Sequence, residues 1–489
     1  MDNQKPENAA TVKSVSPPVD EAAAAHHTTA AKDRVPLIEK VMYGLGSGSF
    51  QLATDGVKGM ANNVFNVTLL VPPSWISFVQ MLYRFFDALT DPLMGKISDN
   101  FRSRWGRRRP FIFVGSFMTA VAFILIWQVP THWDHTGIMI YYMLSLFLFD
   151  ICNTIQTVPY HTLGLEMTAD YHERTVISGY KMIFSFAFTM TLPWVFRLAQ
   201  SDLFEDTMTG VRVLSFFVAF LVVGGGILPA IFVKERYYHV AKNQAKVSFW
   251  TGVKLTFANR AFLLLTGVLL LGGIGSSMVG SFGMYIIYYY VCGGDTVDGS
   301  GWEAIRANTA QVASIICIPL MTMLSKKAGK IHTLKGLIVL GIIGSLSTLI
   351  FFNQQMPGLL LVSAIMGAPL AAGYWTITNS MKADICDDDE LRHGMRREGM
   401  FGSIGNWVIK TAFASTFFLS GVMLEMTGFD AALKGNQDPE ALWTMRIMYA
   451  LVPAAFSTAA LILLHFYPLN EKRMFEIRKE LEARRSAVV

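Results

Sequence analysis

The chain runs to 489 residues, 52% of them hydrophobic and only 16% charged, with a formal net charge of +5. A soluble domain carries about a quarter charged residues, so this composition excludes an ordinary aqueous protein. The basic excess is confined to a few short connections rather than spread over a surface, which excludes a nucleic-acid binder.

Taken in chain order, residues 1–38 are polar and lack the apolar run of a signal peptide, and they read as a disordered cytoplasmic tail. Roughly 20 mainly apolar residues are needed to cross about 30 Å of hydrocarbon. Stretches of that length follow at Val41–Val71, Trp75–Ser98, Pro110–Pro130, Thr136–Gly164, Ile177–Ala199 and Gly210–Val233. They define an N-terminal six-helix half over residues 39–234. Residues 235–260 form a basic cytoplasmic linker, in which Phe249, Trp250, Val253, Lys254 and Leu255 suit a short amphipathic helix on the membrane surface. Six further spans, Ala261–Val291, Ala304–Leu324, Leu334–Phe352, Pro357–Ser380, Gly399–Leu424 and Trp443–Leu469, make a C-terminal half over residues 261–469. A basic cytoplasmic tail, 470–489, is expected to be helical. The short alternating segments of a membrane β-barrel are missing. The expected fold class is all-α: twelve transmembrane helices in two six-helix halves, the major facilitator architecture.

Lys and Arg gather at Lys96–Arg109, Lys234–Arg260, Lys326–Lys335, Arg392–Arg397 and Lys472–Arg485, while the alternate connections carry almost none. The positive-inside rule then makes both termini cytoplasmic. A basic-plus-glycine stretch follows span two and recurs at Ser325–Lys330 after span eight, an echo of internal repetition. Glycine runs at Gly224–Gly226 and Gly272–Gly275 suit close helix packing. The cysteines Cys152, Cys292, Cys317 and Cys386 are scattered and make no metal spacing. No nucleotide-binding glycine loop, paired histidine ligands or nucleophile elbow is present, so nothing points to an enzyme.

The polar residues inside the spans carry the chemistry. Arg84, Asp87 and Asp91 fall at i, i+3 and i+7 on one face of span two. Each costs about 2.5–3.5 kcal/mol at the bilayer centre, so together they require partners or water. Two carboxylates four residues apart, with Thr90 beside them, form a hard-oxygen site for Na⁺ or Li⁺, or for a shared proton. The bland alternative is an Arg84–Asp87 pair that holds helices together. Downstream, Asp99, Gly106, Arg107, Arg108 and Arg109 make a charged turn. Its arginines either bridge helix ends that part when the inner gate opens, or simply hold the loop inside. Asp150, Thr154, Thr157 and His161 line one face of span four; Gln51, Asp55, Lys58 and Asn62 line one face of span one. Such faces point to a bundle interior or a water-filled cavity, although Asp55 and Lys58 equally suit a structural ion pair. After span ten, Asp384, Asp387, Asp388, Asp389 and Glu390 precede Arg392, Arg396, Arg397 and Glu398, as in a state-dependent salt-bridge gate or a solvated charged loop.

The string D-A-L-T-D-P-L-M-G at Asp87–Gly95, followed by R-S-R-W-G-R-R-R-P at Arg102–Pro110, resembles the glycoside–pentoside–hexuronide:cation symporter family. A second signature, A-D-I-C-D-D-D-E-L-R-H-G-M-R-R-E-G at Ala383–Gly399, is similar to the family pattern in and after span ten, and the shared layout covers about residues 38–470. The resemblance implies cation-coupled sugar symport by alternating access in a cytoplasmic (inner) membrane, with Na⁺ favoured and H⁺ the alternative. It implies a cation site at Asp87, Thr90, Asp91 and Thr154, with Asp87 and Asp91 holding the Na⁺. It places the sugar-site positions on Gln51, Thr157, His161, Lys181 and Lys410, to which the polar faces add Asp55 and Asp150. The family's two sugar-binding carboxylates are Gln51 and Thr157 here while the cations remain, which suits an anionic sugar such as a hexuronide or sulfo-sugar. Tyr374 and Trp375 lie deep enough in span ten to stack on a sugar ring; Tyr285 and Tyr289 of span seven suit either stacking or an interfacial belt. Beyond the coupling ion no cofactor is expected. The partners are sugar, a monovalent cation and membrane lipid, no nucleic acid, and the working unit is a monomer. The competing readings are a lipid or lysolipid transporter, which a long apolar groove would favour, a passive uniporter, and a membrane sugar sensor.

Overall fold

The structure is a computed structural model that describes residues 34–168, 171–235, 249–393 and 398–486. The tail before residue 34, most of the linker, and Arg396 and Arg397 lie outside the described residues.

The first half comprises α1 (Leu37–Ala61), α2 (Pro73–Asn100), α3 (Arg109–Trp127), α4 (His135–Glu166), a fifth span broken into α5 (Tyr171–Thr189) and α6 (Leu192–Ala199), and α7 (Thr207–Phe232). The short linker helix α8 (Phe249–Ala258) lies against α9 and α14 of the second half. That half comprises α9 (Arg260–Met278) continued by α10 (Phe282–Tyr285), then α11 (Thr296–Ala328), α12 (Lys330–Phe351), α13 (Leu359–His393), α14 (Glu398–Met426) and α15 (Pro439–His465). The tail helix α16 (Glu471–Ser486) packs on α13. Among the described residues ten helical spans are long and apolar enough to cross a membrane. α1 and α2 match them in length, at 25 and 28 residues, but carry the charges of the polar layer, and they bring the expected segments to twelve.

Local chemistry sets the boundaries. Asp134, Asp206, Asn259, Asp295 and Asp438 cap α4, α7, α9, α11 and α15, each side chain accepting from a backbone N–H of the first turn. Pro193 opens α6 and interrupts the fifth span, since a proline cannot continue the backbone ladder. α1 ends in a π-helical turn, Asn62–Thr68, and the α10 segment ends in another, Ile286–Val291. α11 begins ahead of its expected start, at Thr296 behind the Asp295 cap, and Glu303 and Arg306 pair along it at 2.7 and 2.8 Å. α13 runs on to His393, so the acidic half of the second signature is helical rather than a loop.

The two halves repeat one packing scheme. α1 packs on α5 and α7, α2 on α4, and α3 on α4 and α7; correspondingly α9 packs on α14 and α15, α11 on α13, and α12 on α13 and α15. Between halves, α2 lies along α14 and α6 against α11. At the face away from the chain termini, one apolar core runs through both halves and includes Phe65, Trp127, Tyr142 and Phe196 with Phe282, Tyr285, Tyr288 and Phe429. At the face that bears the termini the core divides. Tyr43, Ile112, Tyr160 and Leu163 belong to the first half alone, and Phe262, Leu334, Ile385 and Tyr467 to the second alone. The halves are therefore sealed at the distal face and separate at the terminal face, and a cleft opens between them there.

Candidate functional site

The polar residues of α1, α2 and α4 meet α14 midway through the bundle. On α2, Thr90 Oγ1 donates to Asp150 Oδ2 of α4 at 2.9 Å, lies 3.2 Å from the Asp87 carbonyl, and sits 3.4 Å from Thr154 Oγ1. Asp150 and Thr154 are buried. Lys410 reaches across from α14 and places Nζ 2.6 Å from Asp91 Oδ2 and 3.2 Å from Asp87 Oδ2. The expected Asp87–Asp91 oxygen pair is thus bridged by an ammonium group from the other half. Lys410, expected among the sugar-site residues, ties the halves through the aspartates while remaining 43% exposed to the cleft. Arg84 Nη1 stands 3.9 Å from Asp87 Oδ2 and over the rings of Tyr83 and Phe417. Asp150, grouped with the sugar residues from its helical face, lies beside Thr90 and one turn from Thr154, its i+4 neighbour.

A second cluster stands beside it. Gln51 Nε2 donates to Asp55 Oδ2 at 2.6 Å, and Lys58 Nζ is 3.6 Å from Asp55 Oδ1. Lys181 Nζ is 3.2 Å from His161 Nδ1 and lies over the Phe50 ring, whose edge meets the imidazole. Thr157 is half-buried on the α4 face. Phe50 had no signal in the sequence beyond lying next to Gln51.

The aromatic expectations divide. Trp375 is 44% exposed and free to stack, but Tyr374 is buried and donates its hydroxyl to the Val268 carbonyl of α9. Tyr160 of α4 does the same toward the Tyr43 carbonyl of α1, so both tyrosines are ties at matching places in the two halves. Tyr285 and Tyr289 are neither belt nor platform. They stack on each other inside the distal core, with the Phe429 ring tilted against Tyr285 and edge-on to Tyr289.

The charged turns at the terminal face work within each half. Arg108, 3% exposed, bonds Asp99, Ser98 Oγ and Glu166 at the end of α4, and Arg107 bonds the same Glu166. Glu235, just past α7, accepts the backbone N–H groups of Arg107 and Arg108 at 3.0 and 2.8 Å, while Arg109 donates to the Ile231 carbonyl. Gly106 sits at φ +102°, and a Cβ there would meet the Glu235 carboxylate at 2.6 Å. The second half repeats the device: Gly329 at φ +80° lies against Glu471, and Lys330 Nζ bonds Asp384 Oδ2 at 2.6 Å. These bridges are made while the terminal ends of the halves stand apart, so they are ties inside each half and need not break for this opening. Arg392 and His393 likewise pair with Asp388 and Asp389 along α13 itself. Arg396 lies outside the described residues, and Glu398 is placed only as the first residue of α14.

Two hollows lie apart from the polar layer. One, of about 470 Å³, is enclosed by the second half and lined by glycines and serines such as Gly272, Ser276, Gly341 and Gly367. The other is an open apolar groove of about 570 Å³ where α6 meets α11, lined by Trp194, Val312, Ile316, Cys317 and Ile365.

A family model described as MFS/sugar transport protein matches residues 42–471. A glucuronide carrier protein homolog of Escherichia coli (strain K12) is 25% identical, over 83% of this chain and 86% of that one. A sodium-dependent lysophosphatidylcholine symporter 1 of Xenopus tropicalis is 23% identical, over 92% and 91%. Among solved structures, a partially occluded inward-open form of the xylose transporter XylE from E. coli superposes with a TM-score of 0.58 at 14% identity, over 89% of this chain and 98% of that one.

Proposed function

The chain belongs to the MFS/sugar transport protein family, and on that premise we propose that it is a symporter that couples a monovalent cation to an anionic sugar, a hexuronide or a sulfo-sugar. The termini and the open end of the cleft face the cytoplasm, following the basic connections at that face. The cation binds in the layer of Asp87, Thr90, Asp91 and Thr154, the sugar beside Gln51, His161, Lys181 and Trp375, and the halves rock about these sites. Na⁺ suits the hard oxygen donors best.

The observation that carries the anionic substrate is Lys181. Among the described residues it makes no ion pair, and its polar partner is a histidine ring nitrogen. Gln51 and Thr157, on the α1 and α4 faces of the same half, are neutral at the two positions where the family resemblance puts sugar-binding carboxylates. A sugar carboxylate or sulfonate provides the missing charge through a charge-assisted hydrogen bond. The similarity to a glucuronide carrier homolog agrees with this reading. Lipid is the second reading, favoured by the apolar groove between α6 and α11 and by the lysophosphatidylcholine symporter relatives.

Uptake into proteoliposomes separates them. Neutral glycosides, pentosides, hexuronides, sulfo-sugars and a lysolipid are offered with and without an inward Na⁺ gradient. Na⁺-dependent accumulation of the acidic sugars is expected. Accumulation of the lysolipid alone would replace the sugar reading with the lipid one.

A further inference from the structure

We infer that Asp150 is the residue that seats the coupling cation; this rests on the symport reading above and moves the centre of the site from α2 to α4.

The argument starts from how charge is matched in the layer. Lys58 pairs with Asp55, Arg84 with Asp87, and Lys410 with Asp91 and Asp87. Each of those carboxylates has a base beside it. Asp150 is fully buried and takes part in no ion pair among the described residues. Its Oδ2 accepts from the neutral Thr90 hydroxyl, and its Oδ1 has no hydrogen-bond partner among the described residues. A buried carboxylate without a compensating charge is costly. Asp150 is therefore the carboxylate of the layer that has no base beside it.

The surroundings select what supplies it. Thr90 Oγ1, Thr154 Oγ1 and the Asp87 carbonyl crowd the same spot, with Thr90 Oγ1 3.4 Å from the second of these and 3.2 Å from the third. Together with the two Asp150 oxygens they are an all-oxygen donor set that suits a hard cation. Among the described residues no three carboxylate, histidine or cysteine groups converge as a metal cluster. A site with one uncompensated carboxylate matches a single positive charge, not a divalent ion. The cation can also arrive without displacing Lys410, which stays on Asp91 and keeps α14 tied to α2.

The test measures Na⁺ binding by the purified full-length protein as a Na⁺-induced rise in Tm, against choline as the control cation, with Na⁺-driven uptake alongside. Asp150→Asn removes the charge and keeps the shape. Its Tm without Na⁺ is expected at or above the wild-type value, because the uncompensated charge is gone, and the Na⁺ concentration for half-maximal shift rises at least about tenfold. Asp150→Glu retains a Na⁺ response and changes the preference between Na⁺ and Li⁺. An unchanged Na⁺ response in Asp150→Asn, with loss in Asp91→Asn, would return the cation to the α2 pair and overturn the inference alone. A wild-type protein that shows no Na⁺ response in Tm or in uptake would overturn the Na⁺-coupled reading with it.

Discussion

Tyr288→Phe deletes one hydroxyl from the distal seal. That hydroxyl donates to Asn63 Oδ1 at 2.9 Å and joins the two π-helical turns that end the first span of each half. Both residues are buried, at 1% and 8% exposure. A neutral hydrogen bond contributes about 0.5–1.5 kcal/mol net, and an acceptor left buried without a donor costs about 1–3 kcal/mol. The cost falls only on the state in which the distal ends are together, because water reaches Asn63 once they part. The distal-closed state should therefore lose about 1–2 kcal/mol, a five- to thirtyfold shift toward distal opening. Spin labels on Leu203 and Met356, exposed positions in distal loops of opposite halves, report that opening by pulsed electron paramagnetic resonance once the native cysteines are replaced. The long-distance population should grow in the variant. No growth would refute the reasoning. So would effects of Asn63→Ala and Tyr288→Phe that simply add in the double variant, since coupled partners do not add.

Three further outcomes are expected. Gly421→Ala sets a Cβ about 2.4 Å from Ser77 Oγ and 2.6 Å from the Pro73 carbonyl, on the seam between α14 and α2, and should move the same spin-label distances in the same direction. Lys181→Gln should weaken acidic sugars by about 10- to 100-fold while neutral analogues change little, the loss of one charge-assisted hydrogen bond, read as substrate Kd. Arg108→Ala should cost about 1.5–3 kcal/mol, because a buried guanidinium that serves Ser98, Asp99 and Glu166 is removed. It should register as a lower Tm with the spin-label distances unmoved, since those ties lie inside one half.

The fold was legible because hydropathy is local: an apolar run of twenty residues crosses a bilayer whatever its neighbours are. The breaks were less so. Pro193 marks the interruption of the fifth span, but the π-helical turns at Asn62–Thr68 and Ile286–Val291 leave no trace in hydropathy. Of the site, Asp87 and Thr90 could be brought together from helical spacing, and Thr154 joined them through the family resemblance. The presence of Lys410 between Asp87 and Asp91 could not, because it depends on how α14 docks on α2 more than 300 positions away. Tyr374, Tyr285 and Tyr289 were misplaced for a related reason. An aromatic residue at membrane depth faces a cleft or a core according to the packing of its helix, and its own spacing does not say which.

The repeat relates structure to transport through what the two halves share and where they differ. Each has the tyrosine tie from its fourth span to its first, the arginine at the start of its last span bonded to the carbonyl at the end of its third, Arg212 to Val129 and Arg446 to Leu349, and the glycine–carboxylate turn at the terminal face. These brace each half internally. The interiors then diverge. A Cβ on Gly115 would meet Gln156, and a Cβ on Gly341 would meet Leu370, which aligns α4 with α13 and sets Asp150, Asn153 and Thr154 opposite Ala364, Gly367 and Ala368. The first half is filled there with polar groups, and the second is hollow. In the proposed symport, ion chemistry belongs to one half, and Lys410 is the contact by which the other half senses it. A cation bound at Asp150 beside Asp87 and Asp91 changes the field that holds Lys410. In this way an ion buried in one body alters the seam between two.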